Sequence, residues 1–125
     1  MKENNRAPTN NIPVIPTRNL VAFPDTTIPI LIGRKMSINA ILRAHQIKQT
    51  HHHQDMWVLL IAPKNDIEDS EIAAHALRQI GTLAVIERLD GDSTNGYRAV
   101  VRGVSRFKVE TFKEEEHLLL ANGND

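Results

Sequence analysis

The chain has 125 residues, of which 41% are hydrophobic and 24% charged, and these values fit one globular domain. Fifteen Lys and Arg residues balance fifteen Asp and Glu, which argues against a dedicated nucleic-acid or membrane-surface binder. The absence of cysteine excludes a disulfide scaffold, a Cys-ligated zinc site and a cysteine nucleophile. No segment has the pattern of a secretion signal or of a membrane helix, so we expect a soluble cytoplasmic protein.

The first third of the chain predicts a tail, two strands and a loop. Residues 1–11 are polar and Asn-rich, typical of a disordered tail, and the folded domain is expected over 12–125. The apolar segment Ile12–Pro16 contains two prolines, which cannot donate to a sheet, so we predict a first or edge strand. Leu20–Asp25 is an apolar loop, and Thr27–Gly33 is a second strand with its own proline.

A helix is predicted from about Arg34 to Gln49, because apolar residues recur there at spacings of three and four. Ser37 would cap its first turn. The predicted apolar face consists of Ile38, Ile41, Leu42 and His45.

The second half of the chain predicts hairpin-connected strands. Met56–Ala62 is a continuous apolar strand, expected to be buried on both faces. Asp69–Leu77 is a short helix, and Gly81–Leu89 is a strand. The glycine-containing segment Asp90–Gly96 predicts a hairpin loop, from which Tyr97–Val101 returns as a half-exposed strand.

Further strands follow a bend or bulge predicted at Gly103. Ser105–Thr111 alternates, which places Phe107, Val109 and Thr111 on one face. An acidic turn at 114–116 precedes a last strand that begins at His117. The predicted fold class is therefore mainly β (α+β): a barrel-like, mainly antiparallel sheet of about six strands, with one long and one short helix.

Metal-site and catalytic patterns are weak. His51 and His53 would share a strand face and could recruit His45 or His75 as a third ligand. A solvated loop explains the histidine run better, because no H-E-x-x-H spacing is present. None of the four serines lies in a G-x-S-x-G motif, and no phosphate-binding glycine motif occurs. We predict no catalytic residue, no metal site and no cofactor.

Two surfaces are candidates for binding. Arg98, Arg102, Arg106 and Lys108 form a basic set that would suit RNA, but pairing with Glu87 and Glu110 on a solvated face explains it better. The apolar loop Val21–Pro24 lies between two proline-containing strands, and exposure of such a loop indicates a protein contact. Folding of that loop back onto the core explains the pattern equally well.

Four segments, in order, resemble one family. Ile12–Pro24 resembles the opening of the N-terminal substrate-recognition domain of the ATP-dependent Lon protease, where the pattern is roughly L-P-v-l-P-l-R-d-x-v-x-f-P. Ile28–Ile38 is similar to the family's I-P-l-x-v-G-R-x-x-S-i, Gly81–Ile86 to its G-T-x-A-x-i, and Val101–Phe107 to its v-x-G-x-x-R-f/v. The chain departs from the pattern in two places: Thr17 replaces an apolar residue, and the His51–His53 connection is longer than usual.

The resemblance implies a PUA-like pseudo-barrel that captures unfolded or damaged proteins for a hexameric protease. The AAA+ module, with its ATP and Mg, and the Ser-Lys dyad of that family lie downstream, so this chain is expected to be non-catalytic. The helical subdomain that follows the barrel is also missing, so 12–125 is expected to be a truncated β-rich subdomain. Other Lon subunits are the implied partners, and an exposed sheet edge near 118–120 would promote dimers of the isolated domain.

Client binding needs an accessible apolar surface, and avidity over several subunits strengthens weak contacts. Arg34 and Lys35 would contact client backbone or a neighbouring subunit. The candidate apolar residues are Val21, Phe23, Pro24, Ile28 and Pro29. The alternatives are a stand-alone PUA-like adaptor or RNA-binding module, and a small metal enzyme built on the histidines.

Overall fold

Six strands and one helix form the part of the chain that the computed structural model describes, namely residues 8–17, 24–50, 55–62 and 79–124. The helix α1 spans Lys35–Thr50. The strands are β1 (Ile12–Pro16), β2 (Thr27–Ile32), β3 (Met56–Ile61), β4 (Ile80–Asp92), β5 (Gly96–Glu115) and β6 (Leu118–Asn124).

The sheet closes on itself through β5. Its strand order is β2-β5-β4-β3-β1-β6, and β6 pairs again with β5, so five strands form a circuit and β2 lies outside it. The 20-residue β5 makes this closure, because it pairs first with β4 and, from Lys108 onwards, with β6. The predicted mainly β pseudo-barrel with one long helix is confirmed. The predicted short helix Asp69–Leu77 lies outside the described residues.

Strand β1 is the first strand, as predicted, but the prediction of an edge strand is wrong, because β1 lies between β3 and β6. The prolines are tolerated because each neighbour pairs with only part of β1. The Thr17 N–H donates to the Ile61 carbonyl (2.9 Å), so by alternation the Pro16 nitrogen points towards the β6 side. Pairing with β6 covers only Ile12 and Pro13, and the parallel register with β3 starts at Val14.

Strand β5 joins segments that the sequence predicted as two strands. The predicted bulge at Gly103 is confirmed, since Leu83 pairs with Ser105 and the next residue of β4 already pairs with Gly103. The β4–β5 pair has another register shift between Ile86 and Arg88, and the β5–β6 pair has one between Val109 and Thr111. The prediction that Thr111 shares the face of Val109 is wrong, because the extra residue turns the exposed Thr111 to the other side.

The β4–β5 hairpin is tighter than predicted, because the strands continue to Asp92 and resume at Gly96. The Asp92 Oδ1 accepts hydrogen bonds from the backbone N–H groups of Asn95 (2.7 Å) and Thr94 (2.9 Å). The bonds from Asn95, and then that from Thr94, lower the pKa of the Asp92 carboxyl. Both flanking glycines, Gly91 and Gly96, have positive φ (110° and 92°), which favours glycine over other residues.

Two apolar clusters fill the interior, and β1, β3 and β6 contribute alternate residues to both. Leu60 belongs to the first cluster and Leu59 to the second, which confirms that β3 is buried on both faces. The first cluster contains Ile15, Ile30, Ile32, Ala40, Ile41, Ala44, Val58, Leu60, Ala84, Ile86, Ala99, Val101, Leu118 and Leu120. The second contains Ile12, Val14, Met36, Leu59, Ile61, Leu83, Phe107, Val109, Leu119 and Ala121.

Helix α1 packs on β1, β3 and β6 through small residues. The buried helix residues are Met36, Ser37, Ala40, Ile41 and Ala44. The predicted apolar face is confirmed for Ile41, which is buried, and for Ile38, which packs against the first cluster, but it is wrong for Leu42, which is 46% exposed, and for His45, which is exposed. Small side chains let the helix approach the sheet closely, so size as well as apolarity decides which face packs. Ser37 lies inside the helix and not at its cap, since the first helical hydrogen bond runs from the Ile38 N–H to the Arg34 carbonyl.

Candidate functional site

The outward face of β2 is the most exposed apolar feature near the predicted site. Thr27, Pro29 and Leu31 are exposed, whereas Ile30 and Ile32 are buried in the first cluster. Leu31 is 80% exposed, the highest value among the large apolar residues of the described ranges. Because β2 pairs only with β5 in the described part of the chain, its other edge carries no strand there.

The structure separates the predicted apolar residues. Pro29 lies on the exposed face of β2, whereas Ile28 points the other way and packs against the first cluster. Pro24 is half-buried in the turn before β2. The Asp25 N–H of that turn donates to the Gly103 carbonyl (2.8 Å), which ties the turn to β5. Val21 and Phe23 lie outside the described residues.

The two predicted cations follow β2 directly. Arg34 and Lys35 are both exposed where α1 begins. The end of β2 therefore leads from the exposed Leu31 to two positively charged side chains within four residues.

Leu31 is the functional candidate that the sequence reasoning missed. The signal was present, because period-two alternation over Thr27–Ile32 puts Leu31 on the same face as Pro29. What the sequence could not show is which face is covered, since both faces of this segment contain apolar residues. Packing of Ile30 and Ile32 into the first cluster decides that point.

The basic set on β5 is partly neutralised. Arg102 Nε donates to Glu87 Oε1 at 2.6 Å, as the solvated-face interpretation predicted. Glu110 instead accepts a hydrogen bond from Asn124 Nδ2 (2.6 Å). Arg98 and Arg106 are exposed.

Two of the open clefts lined by described residues have volumes of about 450 Å³ and 230 Å³. The larger is lined in part by the Arg102–Glu87 pair and by Lys48 and Asp55, and its charges are mixed. No group of three or more His, Asp or Glu side chains within the described ranges is arranged to hold a metal ion. The histidine run at 51–53 lies outside those ranges. Among the described residues, no helix is long and apolar enough to cross a membrane.

Comparison with known proteins identifies the family. The model of the ATP-dependent protease La (LON) substrate-binding domain matches residues 11–124, so the chain belongs to this family, as the four motifs indicated. The chain is 33% identical over 105 residues to Lon protease 1 of Bdellovibrio bacteriovorus, covering 84% of this chain. It is 31% identical over 115 residues to the Lon protease of Xanthomonas oryzae pv. oryzae, covering 92% of this chain. The chain spans only 12% and 13% of the lengths of these two relatives.

Solved structures agree on the fold. The N-terminal domain of the Mycobacterium avium complex Lon protease superposes with a TM-score of 0.68 at 18% identity, covering 92% of this chain and 54% of that one. The Lon N-terminal domain protein from Xanthomonas campestris gives 0.61 at 16% identity, covering 92% and 58%. Two distant sequences with the same arrangement of strands show that this chain has the fold of a Lon N-terminal domain.

Proposed function

We propose that this chain binds unfolded or damaged polypeptides and presents them to the ATPase and protease parts of a Lon-type enzyme. The observation that carries the proposal is an exposed apolar strand face in a chain that belongs to a substrate-binding domain family. Unfolded polypeptides expose apolar segments, so the surface that captures them must itself be apolar and accessible.

The proposal includes the finer roles that the resemblance implied. The chain acts by binding alone, and the ATP, Mg and Ser-Lys dyad belong to other parts of the parent enzyme. Arg34 and Lys35 contact client backbone or a neighbouring subunit of the hexamer, which works in the cytoplasm. Val21, Phe23, Pro24 and Pro29 supply apolar contacts to the client. Ile28 supports β2 from the core side.

Binding to an unfolded protein tests this function directly. A fluorescently labelled, reduced and alkylated protein is titrated with the chain and followed by anisotropy, and the native form of the same protein is the control. We expect binding to the unfolded form, none to the native form, and no cleavage by gel analysis. A parallel titration with single-stranded RNA at low and high salt tests the alternative function, an RNA-binding module. Tight, strongly salt-dependent RNA binding without unfolded-protein binding would overturn the proposal.

Phe23→Ser tests the predicted loop. If the loop presents Phe23 to clients, affinity for the unfolded protein falls by about tenfold, the value of one large apolar contact. Circular dichroism and the melting temperature show whether the fold is kept. Unchanged affinity with intact folding removes Phe23 from the site.

A further inference from the structure

The exposed side chains of β2 continue onto β5. Directly opposite residues of an antiparallel pair lie on the same face, and here Pro29 pairs with Val100 and Leu31 with Arg98. Thr27 pairs with Arg102. Pro29, Leu31 and Val100 therefore form a continuous apolar strip with an arginine at each end. We call Pro29, Leu31, Val100, Arg98 and Arg102 the β2–β5 patch.

The edge of β2 that carries no strand in the described part of the chain offers backbone groups beside this patch. The Gly103 N–H donates to the Thr26 carbonyl (2.8 Å), so by alternation the backbone groups of Thr27, Pro29 and Leu31 point away from β5. Thr27 and Leu31 offer N–H and carbonyl groups there, whereas Pro29 offers only its carbonyl. An extended segment lying along this edge would thus gain a few backbone hydrogen bonds and rely on side-chain contacts at Pro29 and Leu31.

The two ends of the patch differ in charge. At the Thr27 end, Arg102 is bonded to Glu87 and Asp25 is close in sequence. At the Leu31 end, Arg98 lies between Leu31 on β2 and Asp90 on β4, and the exposed Arg34 and Lys35 follow Leu31 within four residues, so cations outnumber anions there. Residues 26–54 contain four Lys and Arg and no Asp or Glu, although one of the four, Arg43, is paired with Glu115.

We propose that the β2–β5 patch binds an extended client segment in which apolar residues stand beside an Asp or Glu. The apolar side chains lie on Pro29, Leu31 and Val100, and the carboxylate lies at the Arg98–Lys35 end, where complementary charge fixes the direction of the segment. The inference rests on the proposed function and names the class of segment and the surface that binds it.

Two labelled, unstructured peptides test the proposal. They have the same length and the same apolar residues, but one carries Asp and Glu where the other carries Lys and Arg. We expect the chain to bind the acidic peptide severalfold more tightly, with the preference shrinking as salt is added. Leu31→Ser should weaken binding of the acidic peptide by about tenfold. Arg98→Glu and Lys35→Glu should each reduce or reverse the preference between the peptides.

Matched controls use residues away from the patch. Ile80→Ser removes another exposed apolar side chain, 54% exposed on β4, and Arg106→Glu reverses another exposed arginine on β5. Neither change should alter peptide binding, and circular dichroism confirms folding of every variant. Equal losses in Leu31→Ser and Ile80→Ser, or no charge preference, overturn the inference even if unfolded proteins still bind. Failure of the wild-type chain to bind any unfolded protein overturns the proposed function itself.

Discussion

Gly33 and Gly81 belong to two of the four matching motifs, but the structure gives them different surroundings. A Cβ atom on Gly81 would lie 2.6 Å from the Leu60 carbonyl oxygen and 3.1 Å from the Ile61 Cβ, because β4 passes close to β3 there. A Cβ on Gly33 would meet nothing within 4 Å. The close approach of the two backbones explains Gly81, whereas packing in the described structure leaves Gly33 unexplained.

Gly81→Ala should therefore lower the free energy of unfolding by about 1–3 kcal/mol, the usual cost of forcing extra atoms into a packed site. Gly33→Ala should change it by no more than about 0.5 kcal/mol. Urea denaturation of both variants at pH 7 measures the difference. Similar losses in the two variants would contradict the packing explanation for Gly81, since Gly33 has neither a close neighbour nor a positive φ.

The ion pair of Arg43 and Glu115 ties α1 to the end of β5. The Arg43 Nη2 donates to Glu115 Oε1 at 2.6 Å, and Nη1 lies 3.4 Å from Oε2. Nearby, the Asn39 Nδ2 donates to the His117 carbonyl (3.0 Å). The hydrogen bond from Arg43 and its positive charge hold the pKa of Glu115 below its ordinary value of 4.5.

Glu115→Gln should cost about 0.5–1 kcal/mol of stability at pH 7, since the pair is bidentate but about 30% exposed. A lowered pKa in the folded state means that this contribution is present above the ordinary value of 4.5 and is lost as the pH falls through the lowered value. The stability difference between wild type and Glu115→Gln should thus shrink on acidification. Asp90→Asn is the control, because its partner Arg88 is 3.7 Å away and both side chains are mostly exposed.

Pro29 protects the edge strand β2 from pairing with another strand. A free strand edge invites another strand to pair, and a proline whose nitrogen points outward interrupts such pairing without breaking the strand's bonds to its own sheet. A protein that meets unfolded chains has a particular need for this protection, because a client that adds fully as a strand would be released slowly.

Pro29→Val should restore an outward N–H and raise self-association, seen as dimers or larger species by size-exclusion chromatography with light scattering. Dissociation of bound unfolded protein should also slow. Thr27→Val is the control, since it adds an apolar, β-branched side chain on the same edge without adding a donor. A monomeric Pro29→Val with unchanged dissociation would show that the edge is blocked by something other than the proline.

Elements with strong local patterns could be predicted from the sequence, and elements decided by distant contacts could not. The apolar run of β3 and the turn residues around Asp92 mark a buried strand and a hairpin by themselves. The orientation of α1 depends on how closely the helix approaches the sheet, so the large residue Leu42 misled the prediction and the small Ala40 and Ala44 proved decisive. Thr111 was misplaced because a bulge shifts the alternation by one residue without any glycine to signal it.

The candidate site shows the same division. Pro29, Arg34 and Lys35 could be placed on an exposed stretch from local pattern, but Leu31 and Val100 become neighbours of one patch only through the β2–β5 register. Closure of the barrel likewise depends on the pairing of β1 with β6, which joins Ile12 to Ala121. No local signal in either segment specifies such a contact.

The shared strands of the two apolar clusters make the molecule one cooperative unit. Leu59 and Leu60 are adjacent on β3, are 0% and 3% exposed, and point into different clusters. Unfolding of either cluster removes β1, β3 and β6 from the other, so neither can persist alone. This dependence follows from strands buried on both faces, and a sheet with one solvated face would not produce it.

Leu59→Ala and Leu60→Ala should each lower the free energy of unfolding by about 2–5 kcal/mol, the usual cost of such a cavity. Each variant should still unfold in a single transition, shifted relative to that of the wild type. Far-UV circular dichroism and Trp57 fluorescence should change together through that transition. Ile80→Ala, which truncates an exposed side chain, should have little effect. Two separated transitions for Leu59→Ala, with only one for Leu60→Ala, would contradict this expectation. The second cluster would then be an independent folding unit, and the β2–β5 patch would survive the unfolding of that cluster.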